Sequence, residues 1–323
     1  MRRRRVLAVV LLGLLQLVVV VTLALAGPDD DTHRAPVRVV APAVVGASVV
    51  ERVNALPGRP VEALALTSRA DAVDSVRSGR SVASIVVDLR RATDTVLVAG
   101  ANGDDLNRAL AKQIGAVEAS YGRRITVRDV VPARDGDSGH RYVVGFAAAC
   151  MLLGLLSAVV ITWQRGPRAV TLARGVQRLL VNALVGAVAG GILAAVAVQV
   201  YDGTGFWRWW LLAALTVLAA AMTTQALLSV FGAYGLGVAT TVLVLAAAPL
   251  VTLVHPLLLP EPWATITPWL PHGAALEAGT SLAYFGGDQV LRPSLVLVAW
   301  SAISIITNVA SRRELQRESI AIG

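Results

Sequence analysis

YVVGFAAACMLLGLLSAVVITW, residues 142–163, is 22 residues long and carries no charge. As a helix it measures about 33 Å, enough to cross a hydrocarbon core about 30 Å thick. Its residues do not alternate apolar with polar, as barrel strands do. A backbone surrounded by hydrocarbon must satisfy its polar groups within the segment, which a helix does. This span divides the chain. A charged region precedes it, and mostly apolar sequence follows.

On either side, similar spans run from Val6 to Ala26, Leu179 to Val200, Trp207 to Val230, Leu236 to His255 and Leu291 to Ala310. Together with Tyr142 to Trp163 they predict six transmembrane helices. The chain is 55% hydrophobic and 15% charged, against about a quarter charged in a soluble domain, so a water-soluble globule is excluded. The fold expected is a polytopic α-helical membrane protein with an α/β extracytoplasmic domain inserted between the first two helices.

The net charge of +8 is not a nucleic-acid footprint. Residues 27–141 are close to neutral, with 16 basic and 15 acidic side chains. The excess lies in Arg2 to Arg5, in the 164–178 loop and in the 311–323 tail, which are short segments flanking helix ends. Arginines so placed set topology. They predict cytoplasmic N- and C-termini, an extracytoplasmic 27–141 domain and a location in the cytoplasmic (inner) cell membrane. Tyr142, Trp163, Trp207, Trp209, Trp210 and Trp263 sit at or just beyond span ends, as interfacial aromatics do. Trp300 does not fit that pattern.

MRRRR, an apolar run and Ala24-Leu25-Ala26 also resemble a signal peptide. The apolar run of 21 residues exceeds the 7–15 of a signal core, which favours a retained anchor over 1–26. Cleavage would instead leave five helices and an external N-terminus.

Within 27–141, strands and helices alternate. VRVVAP (37–42), PGRPVEALALT (57–67), SVASIVVDL (81–89), 95–99 and 124–131 read as strands, and 44–56, 68–79 and 102–122 as helices. Such alternation implies a mixed or parallel sheet covered by helices. Leu106, Leu110, Ile114 and Val117 form the buried stripe of the last helix. The single cysteine, Cys150, falls inside a span and reads as a packing residue, so this domain has no disulfide.

In the membrane region 142–323, Gly186, Gly190 and Ala194 are four apart, the pattern of close helix packing. Thr223, Thr224 and Gln225 are intramembrane polar residues that need partners, and interhelical hydrogen bonding supplies them. Residues 256–287 are too apolar for a free loop and too rich in Pro and Gly for a span, and predict an external interfacial or re-entrant segment.

No catalytic, cofactor or metal motif is present. The four histidines are scattered, and neither H-E-x-x-H, C-x-x-C, G-x-S-x-G nor a Walker A sequence occurs. Asp104-Asp105 and Asp135/Asp137 read as solvated or capping acids in polar turns. The sequence predicts no enzyme and no nucleic-acid partner.

SRADAVDSVRSGRSVASIVVD (68–88), RDVVPARDGDSGHR (128–141) and PWLPHGAALEAGTSLAYFGGDQVLRPSLVLVAW (268–300) resemble stretches of the ABC-2 type permeases, in their YhgE/Pip (phage infection protein) branch. The order of elements is similar across nearly the whole chain, although the large helical insertion of the longer members is absent. The resemblance implies a membrane permease-like subunit of an export system that relies on a separate ATPase, within a homo- or hetero-oligomer. Arg165, Arg168, Arg174 and Arg178 then form the candidate docking surface. The same arginines would equally fix topology and bind anionic membrane lipid. The alternative is a non-transport accessory or receptor protein acting through its external domain.

Overall fold

The computed structural model describes residues 32–55, 59–137, 140–166, 171–201, 203–243, 255–260 and 263–322, with 13–14, 16–18 and 21. The expected first span and the second half of the expected fifth span lie largely outside these residues. So do Arg2 to Arg5 and Arg168.

Five strands, β1 (Ala35–Val40), β2 (Val61–Leu66), β3 (Ala83–Val86), β4 (Thr93–Val98) and β5 (Arg124–Asp129), form one mixed sheet in the order β2-β1-β3-β4-β5. β1 pairs in parallel with β2 and β3, β3 with β4 antiparallel, and β4 with β5 in parallel. Parallel neighbours need crossovers, and α1 (Ala43–Asn54), α2 (Arg69–Arg77) and α3 (Asp104–Ser120) provide them. Side chains alternate between faces along each strand, which sorts the core. Val37, Val39, Ile85 and Val96 pack with Val53 of α1 and with Leu106, Leu110 and Ile114 of α3. On the opposite face Leu97, Val40 and Val86 pack with Ala72 and Val76 of α2.

The differences from the sequence reading are local. β3 ends at Val86 because Asp88 turns away, and its backbone N–H donates to the Asp94 carboxylate at 2.9 Å. α3 begins at Asp104 because Gly100–Asn102 forms a 3-10 turn first. Ser68 caps α2, accepting from the Asp71 N–H at 3.1 Å, while Asp71 accepts from the Ser68 hydroxyl at 2.8 Å.

Among the described residues four helices are long and apolar enough to cross a membrane: α4 (Arg141–Arg165), α5 (Leu172–Val200), α6 (Phe206–Phe231) and the apolar part, Leu291–Ser311, of a longer final helix. α6 is central and packs against the other three. Among the glycines of these four helices Gly154 of α4 makes the closest approach: a Cβ there would lie 2.5 Å from the Val217 carbonyl oxygen. α5 shows its outer face as Leu180, Leu184, Val188, Ile192 and Val196, exposed apolar residues every fourth position. α7 (Tyr234–Leu243) covers the start of the expected fifth span.

In the segment expected to be interfacial or re-entrant, two 3-10 turns and a single helical turn lead into α8 (Pro271–Tyr284). At about 21 Å, α8 is too short to cross a hydrocarbon core. Its Ala274, Ala275, Ala278 and Leu282 are buried in the core of the long helices. Gly286 and Gly287, both at positive φ, turn the chain into α9 (Leu291–Ile322).

Candidate functional site: a cavity where the sheet meets the helix ends

Among the described residues, three attachments fix the α/β unit to the helical unit. In the first, the Asp137 carboxylate, 1% exposed, accepts hydrogen bonds from two tyrosines. Tyr201, at the end of α5, donates to Oδ2 at 2.6 Å, and Tyr284, at the end of α8, donates to the same oxygen. The Tyr142 backbone N–H in the first turn of α4 donates to Oδ1 at 3.1 Å. One carboxylate thus joins the ends of three helices. Tyr201 stacks on Trp209 at 5.6 Å between centroids, and Trp209 meets Phe146 edge-on at 4.9 Å.

The second attachment is Leu258, fully buried with the β1 and α3 side chains of the sheet core. Beside it the His33 N–H donates to the Leu257 carbonyl at 3.1 Å. The third is Phe285, which packs on the other face of the sheet with Leu97 and Val76. Gly79, at φ +69°, makes room for it, since a Cβ there would come within 3.1 Å of the Phe285 ring. His140, held in the left-handed region at φ 58°, brings its Nε2 against the Ala101 carbonyl. Burial lowers the pKa of His140 and the Asp137 charge opposes that only in part, so the imidazole is held neutral, with Nε2–H donating.

Between these attachments lies a cavity of about 600 Å³. Ser81, Val82 and the start of α3 form the wall on the α/β side. Val144 of α4, Leu276, Glu277 and Ser281 of α8, and Arg292 of α9 form the opposite wall, with His255 to Leu257 along one flank. Two ion pairs line it. Arg292 Nη1 lies 3.2 Å from Glu277 Oε1, with its guanidinium 5.2 Å from the centre of the Trp269 ring. Arg108 Nη1 lies 3.0 Å from Asp105 Oδ1. Thr267, 1% exposed, borders the cavity, and its hydroxyl is buried without a hydrogen-bond partner.

A separate polar lock secures the sheet. The Arg123 guanidinium grips Asp94 with a fork, Nε to Oδ2 at 2.6 Å and Nη2 to Oδ1 at 2.5 Å, and also donates to the Asp88 carbonyl at 2.7 Å. Burial raises the Asp94 pKa, but hydrogen bonds from Arg123, the Asp88 backbone and Glu118 outweigh it and hold the carboxyl below its ordinary value. Glu118, buried beside it, is pushed up to about 7 by burial first and then by Asp94.

The residues singled out in the sequence occupy other places. Arg165 and Arg174 are exposed, at the end of α4 and in the first turn of α5. Arg178 is 3% exposed and turns inward: its Nη2 donates to the Arg165 and Gly166 carbonyls at 3.0 and 2.8 Å, covering the carbonyl end of α4. A Cβ on Gly186 would lie 2.9 Å from the Ala214 carbonyl oxygen, and one on Gly190 would lie 3.0 Å from the Ala214 nitrogen. Ala194 is fully buried. Thr223 meets the Ser304 hydroxyl of α9 at 3.2 Å, Thr224 donates to the Ala220 carbonyl, and the Gln225 Nε2 is buried without a partner.

Two readings need correction. Asp137 caps the first turn of α4, one of the two roles expected of it, but it is not solvated: it is the buried centre of the first attachment. The last turn of α3 buries Glu118, with Val117 only partly covered. Trp300, which did not fit an interfacial position, donates its indole N–H to the Trp269 carbonyl at 2.8 Å. The cavity itself was not legible, because its walls come from segments far apart in sequence. The one signal was the apolar, Pro- and Gly-rich character of 256–287.

The chain matches no family model, no curated protein and no solved structure.

Proposed function

We propose that this chain is the permease-like subunit of an ABC-2 type export system, with the α/β unit outside the membrane and a separate ATPase on the cytoplasmic side. The observation that carries the proposal is the cavity of about 600 Å³ walled jointly by the α/β unit and the ends of the long helices. A chamber of this size and mixed character suits a ligand-sized molecule. On this reading it is the outer binding site of an export route. The ATPase partner follows from the resemblance and from the lack of a Walker A sequence in the chain.

In this arrangement Arg165 and Arg174 lie on the cytoplasmic side and are open to the partner, whereas Arg178 is turned onto the Arg165 and Gly166 carbonyls. The exposed apolar stripe of α5 meets membrane lipid or a neighbouring subunit. The test is isolation of the chain from its source membranes with any ATP-binding protein attached, together with export measured in cells lacking it.

A second reading, a non-transport receptor or accessory protein, is favoured by the tight seam at Gly154 and Gly190 below the cavity. On that reading the cavity is a terminal binding site. Deletion would then leave export unchanged, and no ATPase would accompany the chain.

A further inference from the structure

The sheet has two edge strands, β2 and β5, and they are finished differently. At β2 the Asn54 side chain at the end of α1 acts as a plug. Its Oδ1 accepts from the Ala63 N–H at 2.7 Å and its Nδ2 donates to the Ala63 carbonyl at 3.0 Å, so the middle of that edge is already paired. Among the described residues no side chain does this for β5. The Arg124 and Val130 N–H groups donate to the Ala92 and Val98 carbonyls at 2.9 and 3.0 Å, toward β4. Backbone groups alternate along a strand, so those of Arg124, Thr126 and Arg128 face β4 and those of Ile125, Val127 and Asp129 face outward. Thr126, Val127, Arg128 and Asp129 are all exposed. An open edge of this kind is a template for another strand.

The side chains along β5 restrict what that strand can be. Arg124 and Arg128, both exposed, lie four positions apart on one face, and among the described residues neither is in an ion pair. α3 lies over the other face, where a Cβ on Gly115 would come within 3.3 Å of Ile125 Cδ1, and next to Ile125 the Val127 side chain is 45% exposed. A second copy pairing antiparallel about Thr126 would set Arg124 opposite Arg128, and like charges directly opposite one another destabilise a pair of strands. A strand with carboxylates in those two places gains two cross-strand ion pairs instead. The arginines therefore act against self-pairing and for an acidic partner.

We propose that the β5 edge takes an extended acidic segment of a partner protein as a sixth strand, with carboxylates four residues apart on Arg124 and Arg128 and an apolar residue between them on Val127. Main-chain hydrogen bonds to Ile125, Val127 and Asp129 supply affinity, and the alternate side chains supply specificity. The inference concerns the α/β unit alone and stands apart from the export reading.

The probe is a short synthetic peptide of threonines with two glutamates four residues apart and a valine just inside each, labelled with fluorescein and titrated against the full chain in detergent by anisotropy. One comparator carries lysines in place of the glutamates, and another is N-methylated on the amides that would face β5. The expected result is saturable binding of the glutamate peptide, with each comparator bound about tenfold more weakly, as loss of two ion pairs or of the edge hydrogen bonds implies. Hydrogen exchange over 124–129 should slow when the glutamate peptide is bound. Val127→Pro removes an outward N–H and no bond to β4, so this variant should melt like the parent and bind about tenfold more weakly. Arg124→Glu combined with Arg128→Glu should reverse the preference toward the lysine peptide, which a folding defect cannot do. Unsaturable uptake, equal binding of the glutamate and lysine peptides, or undiminished binding to Val127→Pro would overturn the inference. So would a parent chain that is already dimeric and is made monomeric by Val127→Pro, because a second copy would then hold the edge.

Discussion

Tyr201 donates its phenolic hydrogen to Asp137 at 2.6 Å across 64 positions of sequence, joining the end of a long apolar helix to the last turn of the α/β unit. With Tyr284 on the same oxygen, the carboxylate links α5, α8 and the start of α4. Movement of any of these helix ends is therefore felt at the Asp137 carboxylate, where the α/β unit ends.

Removing one donor should show how much this junction holds. Tyr201→Phe is expected to destabilise the chain by about 1–3 kcal/mol, the range for a hydrogen bond to a charged group. Asp137→Ala should cost more, since it leaves two hydroxyls and a backbone N–H without an acceptor. A double-mutant cycle of Tyr201→Phe with Tyr284→Phe, followed by denaturant unfolding in detergent, measures their coupling. Additive losses would mean that the two tyrosines act independently.

Gly154 and Gly145 lie on the same helix in opposite circumstances. A Cβ at Gly154 would sit 2.5 Å from the Val217 carbonyl oxygen and 2.6 Å from the Ala220 Cβ, whereas at Gly145 nothing lies within 4 Å. Gly154→Ala should destabilise by about 1–3 kcal/mol through overpacking. Gly145→Ala should be neutral or slightly stabilising, because alanine is the better helix former. Melting temperatures of the two variants decide the matter.

The Glu118 and Asp94 carboxyls predict a pH dependence. Glu118 is raised from an ordinary value of 4.5 to about 7, so its contribution to stability is complete below about 4.5 and is lost as pH rises through about 7. Asp94 is lowered, so its contribution is present above its ordinary 3.8 and is lost only as acid brings the pH through its lower folded value. His140, also lowered, contributes fully above its ordinary 6.5 and loses that contribution as pH falls. Glu118→Gln isolates the first group. The melting temperature of this variant, relative to the parent, should rise between about pH 5 and pH 8, and a flat difference would refute the assignment.

The arginines of the α4–α5 turn should separate by role. Arg178→Ala is expected to lower stability, because it uncovers the Arg165 and Gly166 carbonyls. Arg174→Glu and Arg165→Glu, at exposed positions, should leave the melting temperature within about 0.5 kcal/mol equivalent of the parent. They should nevertheless reduce recovery of a bound ATPase, measured by co-purification.

Local signals explain what could be read from the sequence. The 22 uncharged residues from Tyr142 identify a span, and the Ser68–Asp71 cap with Gly79 beyond it brackets α2 closely. The stripe of Leu106, Leu110 and Ile114 identifies the buried face of α3. Long-range pairing was not legible. The role of Asp137 depends on tyrosines 64 and 147 residues away, and a polar Asp/Gly-rich turn around it resembles a solvated loop. Leu258 and Phe285 belong by sequence to the helical region yet complete the sheet's two cores. Arg178 looks like its neighbours, and only folding of the turn directs it inward.

Whether this is an export subunit driven by a separate ATPase is decided by isolating the chain at native abundance from its source membranes and weighing the intact complex. The expected result is a stoichiometric ATP-binding protein, lost from a folded Arg165→Glu, Arg174→Glu double variant. A folded parent chain recovered with no ATP-binding protein would contradict it.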